Sequence, residues 1–133
     1  MLIADKMGHP LAVTVHDGRP HEINHVESTL RSLPEQIHLK HLGADKNFSS
    51  QREQKRIFEL FHVHFIAKQK AHVKSWRQDG RRLRRNKDRW TIERCFSWLK
   101  GFRRLRIRYE RYACHYLGFV HLACVIILTR GLK

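Results

Sequence analysis

The chain has 133 residues, room for one ordinary domain, and its 41% hydrophobic and 29% charged residues exclude disorder throughout. Twenty-seven Lys and Arg against twelve Asp and Glu leave a formal net charge of +15. An excess that large repels itself unless a polyanion neutralises it, which points to nucleic acid or an anionic membrane rather than a small acidic molecule.

In chain order, residues 2–4 and 11–15 read as short strands joined through Gly8-His9-Pro10, a plausible hairpin. Residues 22–33 place Ile23, Val26, Leu30 and Leu33 at helical spacing and stop before Pro34. Residues 37–42 alternate like a strand. Ser49 or Ser50 then caps a helix through Leu60, with Ile57, Leu60 and Phe61 inward. Residues 62–67 read as another strand, and 68–85 as a polar loop turning at Gln78-Asp79-Gly80. Two long helices follow, 88–109 and 113–129. This order predicts one α/β domain over 1–133: strand and helix alternation in 1–67, a basic loop over 68–87, and the two helices in 88–133.

Residues 112–129 carry no formal charge and reach the lower length limit of a membrane span. Two histidines, two tyrosines and a glycine interrupt them, so a core helix is expected and no membrane partner. Nothing basic precedes Asp5, so no signal peptide is expected. Cys95, Cys114 and Cys124 form no C-x-x-C pair, which fits a reducing, cytoplasmic setting.

The charge is concentrated. Residues 68–112 hold seventeen Lys or Arg and four acids, while the remainder is nearly balanced. Trp76, Trp90, Phe96, Trp98 and Phe102 interleave the basic run, so it belongs to a folded element and not merely to a solvated helix face. A basic surface on a rigid scaffold is the footprint of a phosphate-backbone binder. Eleven histidines raise metal ligation, but His62-x-His64 and His21-x3-His25 lack a third ligand at zinc spacing, so no zinc site is expected. Phosphate-cradling and nucleophile-elbow motifs are absent.

Two carboxylates stand out. Asp45 follows the predicted strand and Gly43-Ala44, at a strand end where open α/β sheets bind ligands, or else it is an ordinary turn aspartate. At roughly 100° per residue, Asn86, Arg89, Glu93 and Lys100 share an arc of about 60° beside the apolar stripe of Ile92, Cys95, Phe96 and Leu99. Glu93 is thus expected at the edge of the buried face. It reads either as half of an Arg89–Glu93 salt bridge or as a metal-binding carboxylate flanked by cations for phosphates.

Arg89-x3-Glu93-x6-Lys100 resembles the tail of the Tyr-x2-Arg-x3-Glu-x6-Lys pattern of DDE transposases from bacterial insertion sequences. The runs beginning at Gln78, Trp90, Phe102, Arg108 and Leu117 resemble the same family, and Asp5-Lys-Met-Gly-His-Pro-Leu and Gly43-Ala-Asp-Lys match segments of it in order. The resemblance implies a ribonuclease-H-like mixed sheet with flanking helices, lacking the first (central) strand and ending in two long C-terminal helices. It implies DNA transposition, a recombination reaction of metal-dependent strand cleavage and transfer with Mg²⁺ or Mn²⁺. By position, Asp45 resembles the second Asp of the metal-binding triad and Glu93 its Glu. Arg89 and Lys100 resemble the pair that grips DNA, with Arg84, Arg85, Arg94, Arg103 and Arg104 as further contacts.

Three departures qualify this. The family's first Asp has no counterpart, since Asp5 matches a non-catalytic position. Asn86 stands for Tyr, and Asn47-Phe48-Ser49 replaces Gly/Ala-Tyr-Asp. The implied protein is the C-terminal part of a transposase, from a truncated or split-frame copy, acting on double-stranded insertion-sequence ends at the bacterial nucleoid. Self-association or an upstream fragment is its implied protein partner. The alternative is a DNA-binding remnant that does not cut.

Overall fold

The computed structural model describes residues 1–19, 21–69 and 90–130. Among them the strands form two two-stranded sheets rather than the single mixed sheet expected. The chain divides into two compact units, residues 1–34 with 90–133, and residues 35–89.

The first unit begins with an antiparallel hairpin of β1 (Leu2–Ala4) and β2 (Pro10–Val13), with Leu2 opposite Val13 and Ile3 opposite Ala12. Asp5 builds its turn. One carboxylate oxygen accepts the Met7 and His9 N–H groups, each at 2.8 Å, and the other meets the His9 ring at 3.1 Å. Burial alone would raise the Asp5 pKa, but these His9 and Met7 hydrogen bonds outweigh it and hold the carboxyl below its usual range. Gly8 supplies the left-handed backbone, φ 81°, that closes the turn. The second strand stops at Val13, not residue 15, where its pairing with Leu2 ends.

A single 3-10 turn, Glu22–His25, precedes α1 (Val26–Arg31), so the helix expected over 22–33 is shorter and tighter at its start. Val26, Thr29 and Leu30 are buried. Thr29 donates to the His25 carbonyl at 2.8 Å and meets the Thr14 hydroxyl at 2.7 Å, which in turn meets His16 Nε2 at 2.7 Å. With Thr29 committed as a donor, Thr14 donates to it and accepts from His16, whose proton therefore sits on Nε2.

The helix expected over 88–109 is broken. α3 runs over Trp90–Lys100, Gly101 ends it, and Phe102 is extended before a short α4 (Arg103–Arg106). At the break the Gly101 N–H turns back to the Ser97 and Trp98 carbonyls, Phe102 caps α4, and Phe102 and Leu105 pack against the core. α5 (Ala113–Arg130) closes the unit. Its Val120, Ala123, Cys124 and Ile127 pack with Leu2, Cys95 and Leu99 into one core, in which Cys95 is completely buried. By length and composition α5 is long and apolar enough to cross a membrane, yet this one face of it is committed to the core.

The second unit pairs β3 (His41–Ala44) with β4 (His64–Ala67) in parallel, His41 opposite His64, over α2 (Gln51–Phe61). Both strands begin later than the sequence suggested, for one reason. His62 takes the left-handed conformation, φ 55°, to end α2, so pairing starts at His64 and its partner is His41. Ser50 caps α2, as one of the two candidates. Ile57 is buried, but Leu60, expected inward, is 49% exposed. It stands three residues on from Ile57, about 60° round the helix, and of the two only Ile57 is covered.

Two predictions follow from this packing. A Cβ on Gly8 meets the Thr91 carbonyl at 3.0 Å and the Arg94 guanidinium at 3.2 Å, in a backbone that L-residues adopt at a cost of roughly 1–2 kcal/mol. Gly8→Ala therefore lowers stability by about that much or more in chemical denaturation, whereas Gly118→Ala, with nothing within 4 Å in mid-helix, raises it by roughly 0.5–1 kcal/mol. His16 stacks on His25 with centroids 3.9 Å apart, and its pKa is lowered by burial first, then by His25 and the α-amino group. A histidine depressed on folding stabilises fully above its unfolded pKa of about 6.5 and loses that contribution as pH falls through the folded value. The thermal midpoint accordingly falls on acidification below about pH 6.5. His16→Gln flattens that slope; an unchanged slope in the variant refutes it.

Candidate nucleic-acid interface

α3 carries three stripes. Thr91, Cys95 and Leu99, four residues apart, form the buried one. Trp90, Arg94 and Trp98, also four apart, form a ladder in which the Arg94 guanidinium lies 4.4 Å from the Trp90 ring and 5.0 Å from the Trp98 ring. Arg94 also donates from Nη2 to the Met7 carbonyl, tying the hairpin turn to the helix. Its Nε is buried without an acceptor among the described residues. Glu93 and Lys100 form the third stripe, seven residues and nearly two full turns apart.

Both Glu93 and Lys100 are exposed, so Glu93 lies on the solvent side and not at the edge of the buried face as expected. The correction has a simple cause. The buried stripe centres on Cys95, and Ile92 and Phe96, counted as apolar neighbours of Glu93, are only partly covered or exposed. Glu93 makes no hydrogen bond or ion pair among the described residues, and neither does Lys100.

Beyond Gly101 the chain forms a basic strap. Arg103 and Arg106 are exposed and without a partner among the described residues. Arg104 differs: its guanidinium sits 4.7 Å over the Phe119 ring, and its Nε lies 3.1 Å from Glu110 Oε1. That contact is an ion pair without the alignment of a hydrogen bond, and the Glu110 side chain is only 6% exposed. Arg108 donates to the Glu110 carbonyl at 3.0 Å and lies over Tyr116, whose hydroxyl donates to the Leu105 carbonyl at 3.1 Å. The strap is therefore held from both sides. Arg106 had no motif to mark it in the sequence beyond the charge run itself.

Asp45 belongs to the other unit. It directly follows β3 and caps the single 3-10 turn Lys46–Phe48, its carboxylate accepting the Lys46 N–H. Phe48, standing where the family pattern has Tyr, packs edge-on against Phe65 of β4 with centroids 6.2 Å apart, which anchors the turn that carries Asp45. Arg84, Arg85, Arg89 and Asn86, with the loop around Gly80 and the start of the predicted helix at Asp88, lie outside the described residues.

A divalent metal was implied by the resemblance. Among the described residues no group of three or more His, Cys, Asp or Glu side chains converges on a point. Carboxylates such as Asp45 and Glu93 are hard oxygen donors of the kind Mg²⁺ takes, one or two per ion with waters completing the shell. The chemistry of each carboxylate by itself thus suits a hydrated ion, and the described residues do not build a paired site.

The family model for the transposase DDE domain matches residues 1–128. A Burkholderia cepacia protein described as a transposase for insertion sequence element IS402 is 27% identical over 140 residues, covering 99% of this chain and 63% of its own length. Another, described as a transposase for IS6501 of Brucella ovis, is 46% identical over 44 residues, 33% of this chain and 34% of its own. The chain thus spans 63% of the IS402 protein. No solved structure matches it. Since the family match takes in the hairpin, the strand before Asp45, the Glu93 helix, the basic strap and nearly all of α5, the chain belongs to the DDE transposase family.

Proposed function

We propose that this chain binds the double-stranded ends of an insertion sequence through the basic strap and the Lys100 stripe, and contributes Asp45 and Glu93 to a metal-dependent transposition site. The observation that carries the reading is the exposed Glu93, without an ion pair among the described residues, on a helix face shared with Lys100 inside the family match. A ribonuclease-H-like arrangement is the fold that goes with it. The cytoplasm, at the nucleoid, is the compartment that fits. Bound Mg²⁺ or Mn²⁺ would polarise a phosphate oxygen or a water. The chain's own part is to supply the two carboxylates and to neutralise phosphates with Lys100, Arg103, Arg104 and Arg94, and with Arg84, Arg85 and Arg89.

One observation favours the second reading, a transposase-family chain that grips DNA without cutting it. Among the described residues no three-carboxylate cluster forms, and the resemblance supplies no counterpart of the family's first Asp. Two-metal sites hold their ions about 3.5–4 Å apart with shared ligands, which two carboxylates alone do not provide. An upstream transposase fragment carrying that Asp is the partner that would restore activity.

Three outcomes test these readings. Affinity for duplex DNA falls steeply with salt as counterions are released, and Lys100→Ala with Arg103→Ala lowers the logarithmic slope by about 0.9 per lost phosphate contact. The same pair weakens all sequences alike, since phosphate contacts carry no base information. A flat salt dependence refutes the interface. Arg104→Ala behaves differently, losing stability as well as affinity, because it strands the nearly buried Glu110. Finally, the chain with Mg²⁺ or Mn²⁺ and insertion-sequence end DNA binds without nicking or joining. Metal-dependent cleavage lost in Asp45→Asn, which keeps the cap, would overturn that expectation in favour of the catalytic reading.

A further inference from the structure

The basic strap contains one acid. From Arg103 to Tyr112 five arginines stand with Glu110 alone against them. An anion there opposes a polyanion partner, and an exposed one would gain little from a surface ion pair. Glu110 is instead drawn inward, its side chain only 6% exposed. Its Oε1 lies 3.1 Å from Arg104 Nε, and its Oε2 accepts the Tyr109 N–H at 3.2 Å. The Glu110 carbonyl accepts from Arg108 Nε at 3.0 Å.

These contacts close a loop. Arg104 and Glu110 are six positions apart and meet, so residues 105–109 run out and back between them. Leu105 packs against the core at the near end, but beyond it Ile107 is 52% and Tyr109 57% exposed. Burial therefore does not hold the apex. Nor does α4, since a single helical turn is unfavourable in water on its own. Neighbouring guanidiniums of one sign push the loop apart. The tie at its base is what opposes them. Arg104 is steadied there by the Phe119 ring, 4.7 Å away, and Arg108 by the Tyr116 ring, 5.5 Å away. Both rings belong to α5, which carries Val120 and Cys124 into the core, so the base of the loop is fixed to the fold.

We infer, on the interface proposed above, that Glu110 is a positioning residue for nucleic acid: by holding Arg104 it closes the strap and presents Arg103 and Arg106 to a phosphate backbone at a fixed spacing. A loop ordered before DNA arrives does not have to be ordered on binding. The expected sign sets this role apart from simple electrostatics. Field strength alone makes any lost carboxylate strengthen binding to a polyanion, whereas loss of the Glu110 charge weakens it.

The test is Glu110→Gln in the full chain, which keeps the side-chain volume and an acceptor for the Tyr109 N–H but removes the charge that holds Arg104. Affinity for duplex DNA, read by fluorescence anisotropy at physiological salt, falls roughly threefold to tenfold although the net charge rises. Glu59→Gln, on α2, changes the net charge equally and leaves the affinity the same or slightly higher. Without DNA, trypsin cuts after Arg106 and Arg108 faster in Glu110→Gln than in the parent, as read by mass spectrometry. The double variant Arg104→Gln with Glu110→Gln strands no charge, and it shows the same faster cutting. In the Arg104→Gln background the second change costs no further affinity. Salt-dependent binding that Glu110→Gln tightens as Glu59→Gln does overturns the inference and leaves the interface standing. Equal trypsin rates in parent and both variants overturn it as well. A parent whose duplex binding is flat with salt overturns the interface itself, and the inference with it.

Discussion

The first unit is assembled from two stretches of chain, residues 1–34 and 90–133, and exists only because they find each other. The contact that joins them is the docking of the hairpin on α3. Leu2 enters the core with Cys95 and Leu99, while at the turn Gly8 lies so near Thr91 that a Cβ would stand only 3.0 Å from its carbonyl, and Arg94 reaches back to the Met7 carbonyl. Bringing together segments more than fifty residues apart costs loop-closure entropy, though the cost rises only slowly with length. Burial of Cys95, whose thiol is pushed up to about 11, marks how dry the joint becomes. The helix that carries Glu93 is oriented through this joint.

Arg94 shows how a basic run divides between holding the fold and meeting a ligand. Its guanidinium is stacked between two tryptophans and hydrogen-bonded to the hairpin, and Arg104 is spent on Phe119 and Glu110. Lys100, Arg103 and Arg106 have no such duties among the described residues. Stacked and paired arginines keep their charge and still raise the local potential, but they cannot reorient to follow a backbone. The flexible cations stand beside the rigid ones, which fixes where the field is strongest without fixing every contact.

Much of this was legible in the sequence where a local signal sufficed. The hairpin, the Ser50 cap, the strand before Asp45 and the helix from Ala113 follow from turn residues, a capping side chain and hydrophobic runs. What escaped depended on distant partners. The starts of β3 and β4 are set by the left-handed His62, which no alternation pattern reveals. The break at Gly101 interrupts an apolar pattern that runs on through Phe102 and Leu105, where one glycine is otherwise tolerated. For the site, spacing correctly joined Glu93 to Lys100 on one stripe. It misjudged exposure, because apolar neighbours were assumed to be buried neighbours.

The carboxylates make the remaining distinction. In a chain this basic, an acid normally finds a cation or a backbone donor: Asp5 is used up by its own turn, Glu27 takes Arg31 at 2.8 Å, Glu53 takes Arg56 at 3.5 Å, and Glu110 takes Arg104. Glu35 has no ion pair among the described residues, and Glu22 acts only on the Met1 amino group, in the sparsely charged first third of the chain where cations are few. Glu93 has no ion pair among the described residues, in the most densely basic stretch of the sequence. Within α3 the next cation on its stripe, Lys100, stands two turns away, beyond the i,i+4 reach at which helix ion pairs form. The spacing keeps carboxylate and ammonium on one face yet apart, leaving room between them for something bearing both a cation and an anion. A metal ion on a phosphate is such a pair.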